Sequence, residues 1–157
     1  MGKKAGERVA ISNRRARHEY HILDTYEAGI VLVGSEVKSI RDGRANLSDA
    51  YARLEGGEVW LHAMHVSPYP FARQQHDPTR RRKLLLHRGE IDRLVGKLTE
   101  SGLTLVPLKL YFNDGLAKVE IAVARGKRQW DKRQAMAERD ANRETERVLK
   151  DHRQRRG

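Results

Sequence analysis

Ala117-Lys118-Val119-Glu120-Ile121-Ala122-Val123-Ala124 alternates small or apolar residues with polar ones, as a half-buried strand does. Gly126-Lys127-Arg128-Gln129-Trp130-Asp131-Lys132-Arg133 follows it and ends the pattern. Upstream, Leu103 to Tyr111 and the turn residues Asn113-Asp114-Gly115 complete a β-hairpin with that strand. Downstream, apolar residues nearly vanish. The chain is therefore read as a folded β domain that stops near residue 125, followed by a basic tail.

Working back from the hairpin, the same signals recur. Glu90-Ile91-Asp92-Arg93-Leu94-Val95-Gly96-Lys97-Leu98-Thr99 carries an apolar helical stripe closed by Gly102. Leu84-Leu85-Leu86 reads as a short buried run. Ser67 to Lys83 contains Pro68, Pro70 and Pro78 and ends in Arg80-Arg81-Arg82-Lys83, which predicts a long, mobile, basic loop. Ala50–Leu54 and Glu58–Val66 predict a hairpin about Glu55-Gly56-Gly57. Ser35 can cap a short helix holding Glu36, Val37 and Ile40, stopped by Gly43. Tyr20 to Val33 reads as β-structure with Gly29 as a bend or bulge. Asn13 to Tyr20 is a basic-aromatic cluster just before it, and residues 1–12 read as a flexible N-terminal arm. Five or six short strands with inserted helices predict a mainly β fold, a small antiparallel barrel of the oligonucleotide-binding type over residues 13–125. An open α+β sheet is the alternative.

The 157 residues suit one modest core, and 32 Lys+Arg against 21 Asp+Glu give a formal charge of +11. Such an excess points to a polyanionic partner: RNA, DNA or an anionic membrane. No run approaches the roughly 20 apolar residues of a membrane span, and the N-terminus lacks a signal-peptide core, so a cytoplasmic location is expected. The absence of cysteine excludes disulfides, thiolate catalysis and cysteine-based zinc sites. His18 with His21, and His62 with His65, form two HxxH pairs, but strand geometry would split each pair across two faces. No metal or other cofactor is expected. Glu27, Glu36 and Glu120 have no identifiable partner base, nucleophile or phosphate-cradling loop. A binding protein is therefore the expectation, with an RNA-processing enzyme as the competing class.

Residues 126–157 form the tail. Lysine and arginine there suit phosphates, and Trp130 offers an aromatic plane to a base. At about 100° per residue, Lys132, Arg139, Arg143, Arg147 and Lys150 fall on one helix face. That face is basic rather than apolar. The tail is expected to be disordered when free and helical when a polyanion neutralises the stripe.

Several blocks in collinear order resemble the bacterial SsrA-binding protein (SmpB) family. They are Asn13–Tyr20, Tyr26-Glu27-Ala28-Gly29, Glu36-Val37-Lys38-Ser39, Ala45-Asn46-Leu47-Ser48-Asp49, Arg82-Lys83-Leu84-Leu85-Leu86, Leu105–Tyr111, and Gly126-Lys127-Arg128 with Asp131-Lys132-Arg133. The resemblance implies a barrel that binds transfer-messenger RNA (tmRNA) and brings it to stalled ribosomes for trans-translation, standing in for a tRNA anticodon arm. It implies delivery of aminoacylated tmRNA with elongation factor Tu, and a monomer. By the same resemblance Asn13, Arg14, Arg15, Arg17, His18, Tyr20, Glu27, Lys83 and Leu85 lie on the tmRNA side. Lys127, Arg128, Trp130, Asp131, Lys132, Arg133, Arg139, Arg143 and Arg147 would enter the small-subunit decoding centre and mRNA channel, against 16S rRNA. Trp130 departs in type at a position where the family often has another aromatic or a histidine. A ribosomal or translation-factor-like RNA-binding protein is the alternative.

Overall fold

A computed structural model describes residues 7–99 and 102–127 and, in the tail, Arg143, Arg147 and Lys150. In chain order the elements are β1 (Glu7–Ser12), α1 (Arg14–Glu19), β2 (Tyr20–Ile30), α2 (Gly34–Arg41), β3 (Ala45–Asn46), β4 (Tyr51–Glu55), β5 (Glu58–His62), β6 (His65–Val66), β7 (Arg82–Leu85), α3 (Arg88–Leu98), β8 (Leu103–Asn113) and β9 (Leu116–Gly126). The order β8-β4-β5-β7-β2-β9 closes on itself because β9 also pairs with β8. All of these pairings are antiparallel. The mainly β barrel expected from the sequence is thus present, and closure removes the strand edges that an open sheet would leave.

The last hairpin sets the barrel's register. Asp114 and Gly115 both have positive φ, 50° and 81°, the two-residue turn whose twist matches the flanking strands. β8 keeps β9 along one edge and shares its other edge between β4, at Leu105, and β1, at Lys109 to Asn113. The register shifts between Pro107 and Lys109, where a proline without an N–H is tolerated. Leu61, Leu84, Leu105, Leu110, Val119 and Ile121 point inward and are almost wholly buried.

Several expectations need correction. Residues 7–12, assigned to a flexible arm, are a paired strand, since β1 lies against the second half of β8. Within the basic-aromatic cluster, residues 14–19 form a helix. Gly29 does not bend β2; the irregularity falls between Ile22 and Asp24. Ser35 does not cap α2: Val33 is the cap residue, and its N–H donates to Glu36 Oε1 at 2.9 Å. The expected strand Glu58–Val66 breaks at Ala63, whose φ is +62°, and β6 pairs with β3 in a separate small sheet. Leu85, taken as buried, is 52% exposed. The loop after Ser67 is pinned rather than loose, because His76 and Arg82 are buried within the fold.

Half of β9 is buried on both faces, which its alternation did not suggest. Ala122 and Ala124 face outward but lie under α1, packed with Ala16, Val106 and Leu108. Small side chains there let a short helix approach the barrel closely.

Candidate nucleic-acid interface

Asn13 fixes α1 on the barrel. Its Nδ2 donates to Leu47 O at 3.1 Å and Pro107 O at 2.8 Å. Its Oδ1 accepts from Ala16 N at 3.1 Å, an N-cap that satisfies one of the helix's unpaired donors. The residue is 3% exposed. Both amide hydrogens are spent internally, so within the fold this side chain's hydrogen bonds hold α1 in place. Asn13 is a positioning residue. What it positions is exposed: Arg14, Arg15, Arg17 and His18 all face solvent, and Tyr20 is half-buried. Arg15 is held by Glu19 and Asp49, at 3.0 and 2.9 Å.

A second group lies on the barrel's outer face. Glu27 on β2 stands opposite Glu120 on β9, and Arg17 from α1 approaches Glu120 at 3.7 Å. Gly29, two residues beyond Glu27 on the same face, pairs with Leu85 of β7. A Cβ at Gly29 would meet Leu85 Cβ at 3.3 Å, so the glycine makes room for that leucine. Lys83, two residues before Leu85, shares the face and reaches Glu58 at 2.9 Å. Arg17, Glu27, Lys83 and Leu85, far apart in sequence, thus fall along one surface formed by β9, β2 and β7.

Residues that the sequence did not single out complete this surface. Tyr111 on β8 donates its hydroxyl to Glu27. Burial, together with the Glu27 carboxylate, raises the phenol well above its ordinary pKa, so it stays a donor. One carboxylate oxygen of Glu27 is thereby engaged and the other is open. Lys118 faces the same way, opposite Gly29 and Tyr111. Period-two alternation counted back from the Asp114-Gly115 turn could have placed both side chains, since the register runs unbroken from that turn past Tyr111 and Lys118.

Glu36, read as a lone carboxylate, belongs to the architecture. It is fully buried and accepts from Arg82 Nε at 2.5 Å and from Arg80. Arg82 is fully buried too, and donates onward to Met64 O at 2.6 Å. Burial pushes Glu36 up, but Arg80, the Val33 amide and Arg82 outweigh it and hold the carboxyl below its ordinary value. His76 extends the cluster, with Nε2 2.9 Å from Val66 O and Nδ1 2.8 Å from Ser35 Oγ. These contacts tie the loop after Ser67 to α2 and β6. Of the HxxH pairs, His62 is engaged by Glu55 at 2.7 Å and stacks on Tyr51.

The tail leaves the barrel beside α1. Gly126 pairs with Tyr20, and Lys127 Nζ donates to Arg17 O at 3.4 Å. Arg143, Arg147 and Lys150 are helical and exposed. Arg128, Trp130, Asp131, Lys132, Arg133 and Arg139, with the expected order change of the tail, lie outside the described residues.

A family model described as "SmpB protein" matches residues 10–151. Curated relatives named SsrA-binding protein include one from Parafrankia sp., 57% identical over 95% of this chain and 95% of its own. Another, from Acidothermus cellulolyticus, is 59% identical over 95% and 94%. A solved structure described as "tmRNA-SmpB: a journey to the center of the bacterial ribosome" contains a similar chain. It is 54% identical, with a TM-score of 0.64, over 74% of this chain and 83% of that one.

Proposed function

The chain belongs to the SmpB family, and on that premise we propose that it binds tmRNA on the outer face of β9, β2 and β7 and carries it to stalled ribosomes for trans-translation. The observation that carries the reading is the mixture of side chains on that face. Arg17 and Lys83 are cations held only by partly exposed partners, Glu120 and Glu58. Surface pairs of this kind are worth about 0–1 kcal/mol, so exchanging a carboxylate for a phosphate costs little. Leu85 is apolar and uncovered, which suits a ribose or base face. Glu27 would repel phosphate, but its open oxygen can accept from a base amino group or a 2′-hydroxyl, groups that distinguish folded RNA from a generic polyanion.

In this reading the protein acts as a monomer in the cytoplasm, and performs no catalysis itself. It accompanies aminoacylated tmRNA and elongation factor Tu. Lys127, Arg128, Trp130, Asp131, Lys132, Arg133, Arg139, Arg143 and Arg147 enter the decoding centre and mRNA channel, where the tail becomes helical. The test compares tmRNA with a tRNA of unrelated sequence in a filter-binding assay, using the full chain and a chain ending at residue 133. Both chains should prefer tmRNA, and only the full chain should support rescue of stalled ribosomes. Equal affinity for both RNAs would leave a general translation-associated RNA-binding protein in its place.

A further inference from the structure

At the end of the barrel away from Gly126, the loop after Ser67 presents an aromatic side chain that the fold does not use. Tyr69, Pro70, Phe71 and Ala72 form a turn closed by Ala72 N donating to Tyr69 O at 3.1 Å. Pro70 sits at the second position, where its fixed φ favours the turn, and Phe71 at the third. The side chain of Gln75 staples the turn from beneath: its Oε1 accepts from Tyr69 N at 3.1 Å, and its Nε2 donates to Tyr69 O at 2.5 Å and Ala72 O at 3.3 Å. Phe71 is 85% exposed, more than any other large apolar residue described. Its ring meets Tyr69 edge-on at 5.7 Å. A phenylalanine held rigidly outward contributes nothing to the core.

Cations outnumber acids around it, and two of them lie over rings, Lys38 of α2 over Tyr69 at 5.4 Å and Arg41 over Phe112 at 5.3 Å. Arg44 accepts, through its carbonyl, the N–H of Ser67 at 3.0 Å, which puts it at the loop's root. Arg41 and Arg73 are exposed beside them in the chain. Among the described residues none of these four cations is in an ion pair; the pairs involve Arg15, Arg17, Arg80, Arg81, Arg82, Arg88, Lys83, Lys97, Lys109 and His62 instead. The exposed acids of the two segments are Asp42 and Asp77, Glu36 being buried against Arg80 and Arg82, and Asp77 accepts from the Thr79 amide at 3.0 Å. One exposed ring is too small for a protein interface, which needs about 800 Å² per partner. Ring and cations together suit RNA, a base on the aromatic face and phosphates on the rim.

We infer that Phe71 is a stacking platform for an unpaired base of tmRNA, with Lys38, Arg41, Arg44 and Arg73 holding the flanking phosphates. The inference rests on the proposed tmRNA reading and extends it to a second surface. β2 spans its eleven residues at roughly 3.3 Å each, so about 35 Å of strand separates the tail's exit at Tyr20 from the loop's contact with Val31. Arg80 makes that contact, to Val31 O at 3.4 Å. β7, which carries Lys83 and Leu85, begins where this loop ends. An RNA lying on the outer face therefore runs toward the loop that carries Phe71, at the opposite end of β2 from Gly126.

The experiment measures the Kd of transcribed tmRNA for the parent, Phe71→Ala, Phe71→Leu, Phe71→Trp and the double variant Lys38→Ala/Arg73→Ala, across a salt series without ribosomes. Alanine and leucine should each weaken binding about ten-fold, and tryptophan should retain it. Neither should change the salt slope, which only the double variant should lower, by about two phosphates. All should melt like the parent. The idea is overturned if Phe71→Leu binds like the parent, or if tmRNA affinity is untouched while association with purified ribosomes drops. A parent protein without preference for tmRNA would instead contradict the proposed function itself.

Discussion

Arg81 and Arg82 are neighbours on the same basic run, yet they belong to two regions with opposite logic. Arg82 points into the barrel end and is fully buried against Glu36. Arg81 points out, lies over the Trp60 ring at 4.1 Å and reaches Glu55 at 2.6 Å. The buried cluster satisfies every charge with a fixed protein partner. The outer surface pairs its charges close to the protein's exterior, with side chains partly exposed. A guanidinium inside therefore serves the fold, and one outside can change partners. The same residue types are divided between stability and recognition by which way a strand presents them.

The comparison breaks most visibly at Glu36. Replacing Glu36→Gln leaves two guanidinium groups facing a neutral side chain, and removing one partner of a buried pair costs about 3–5 kcal/mol. Thermal unfolding should show that loss, while the fraction that remains folded should bind RNA with parental affinity. Acid probes the same group without mutation. Its folded-state pKa lies below the ordinary value of 4.5, so its contribution is complete above that value and is lost as pH falls through the folded pKa. Stability of the parent should therefore decline below about pH 4.5, and a pH series on Glu36→Gln should show a shallower decline. A smaller effect is expected at Asn13. Asn13→Ala removes the cap of α1 and leaves the Leu47 and Pro107 carbonyls without their donor, about 2 kcal/mol in all. Denaturant unfolding measures it, and tmRNA affinity should fall too, because Arg17 is carried on that helix.

Much of this division was legible in the chain and some was not, for identifiable reasons. The turn at Asp114-Gly115 and the stripe through Ile91, Leu94 and Leu98 were readable because each is a local signal. α1 was not, since a six-residue helix that buries only Ala16 has no periodicity to read. β1 was missed because its pairing partner, β8, lies about a hundred residues away. Arg82 could not be told from Arg80 and Arg81 by composition, and only strand register separates the inward residues from Lys83 and Leu85. On the candidate surface, Arg17, Glu27, Lys83 and Leu85 were named by family resemblance. Their shared face is a property of the closed barrel, as is the withdrawal of Asn13 into the interior.

The smallest expected change in stability accompanies the most direct test. Arg17→Ala/Lys83→Ala alters two exposed pairs, and its unfolding free energy should stay within about 0.5 kcal/mol of the parent. The measurement is the tmRNA Kd of parent and double variant over a salt series. If the outer face of β9, β2 and β7 holds tmRNA through phosphates, the variant binds more weakly and its log–log salt slope is shallower by about two contacts. A variant with parental affinity and slope would contradict the assignment of that face.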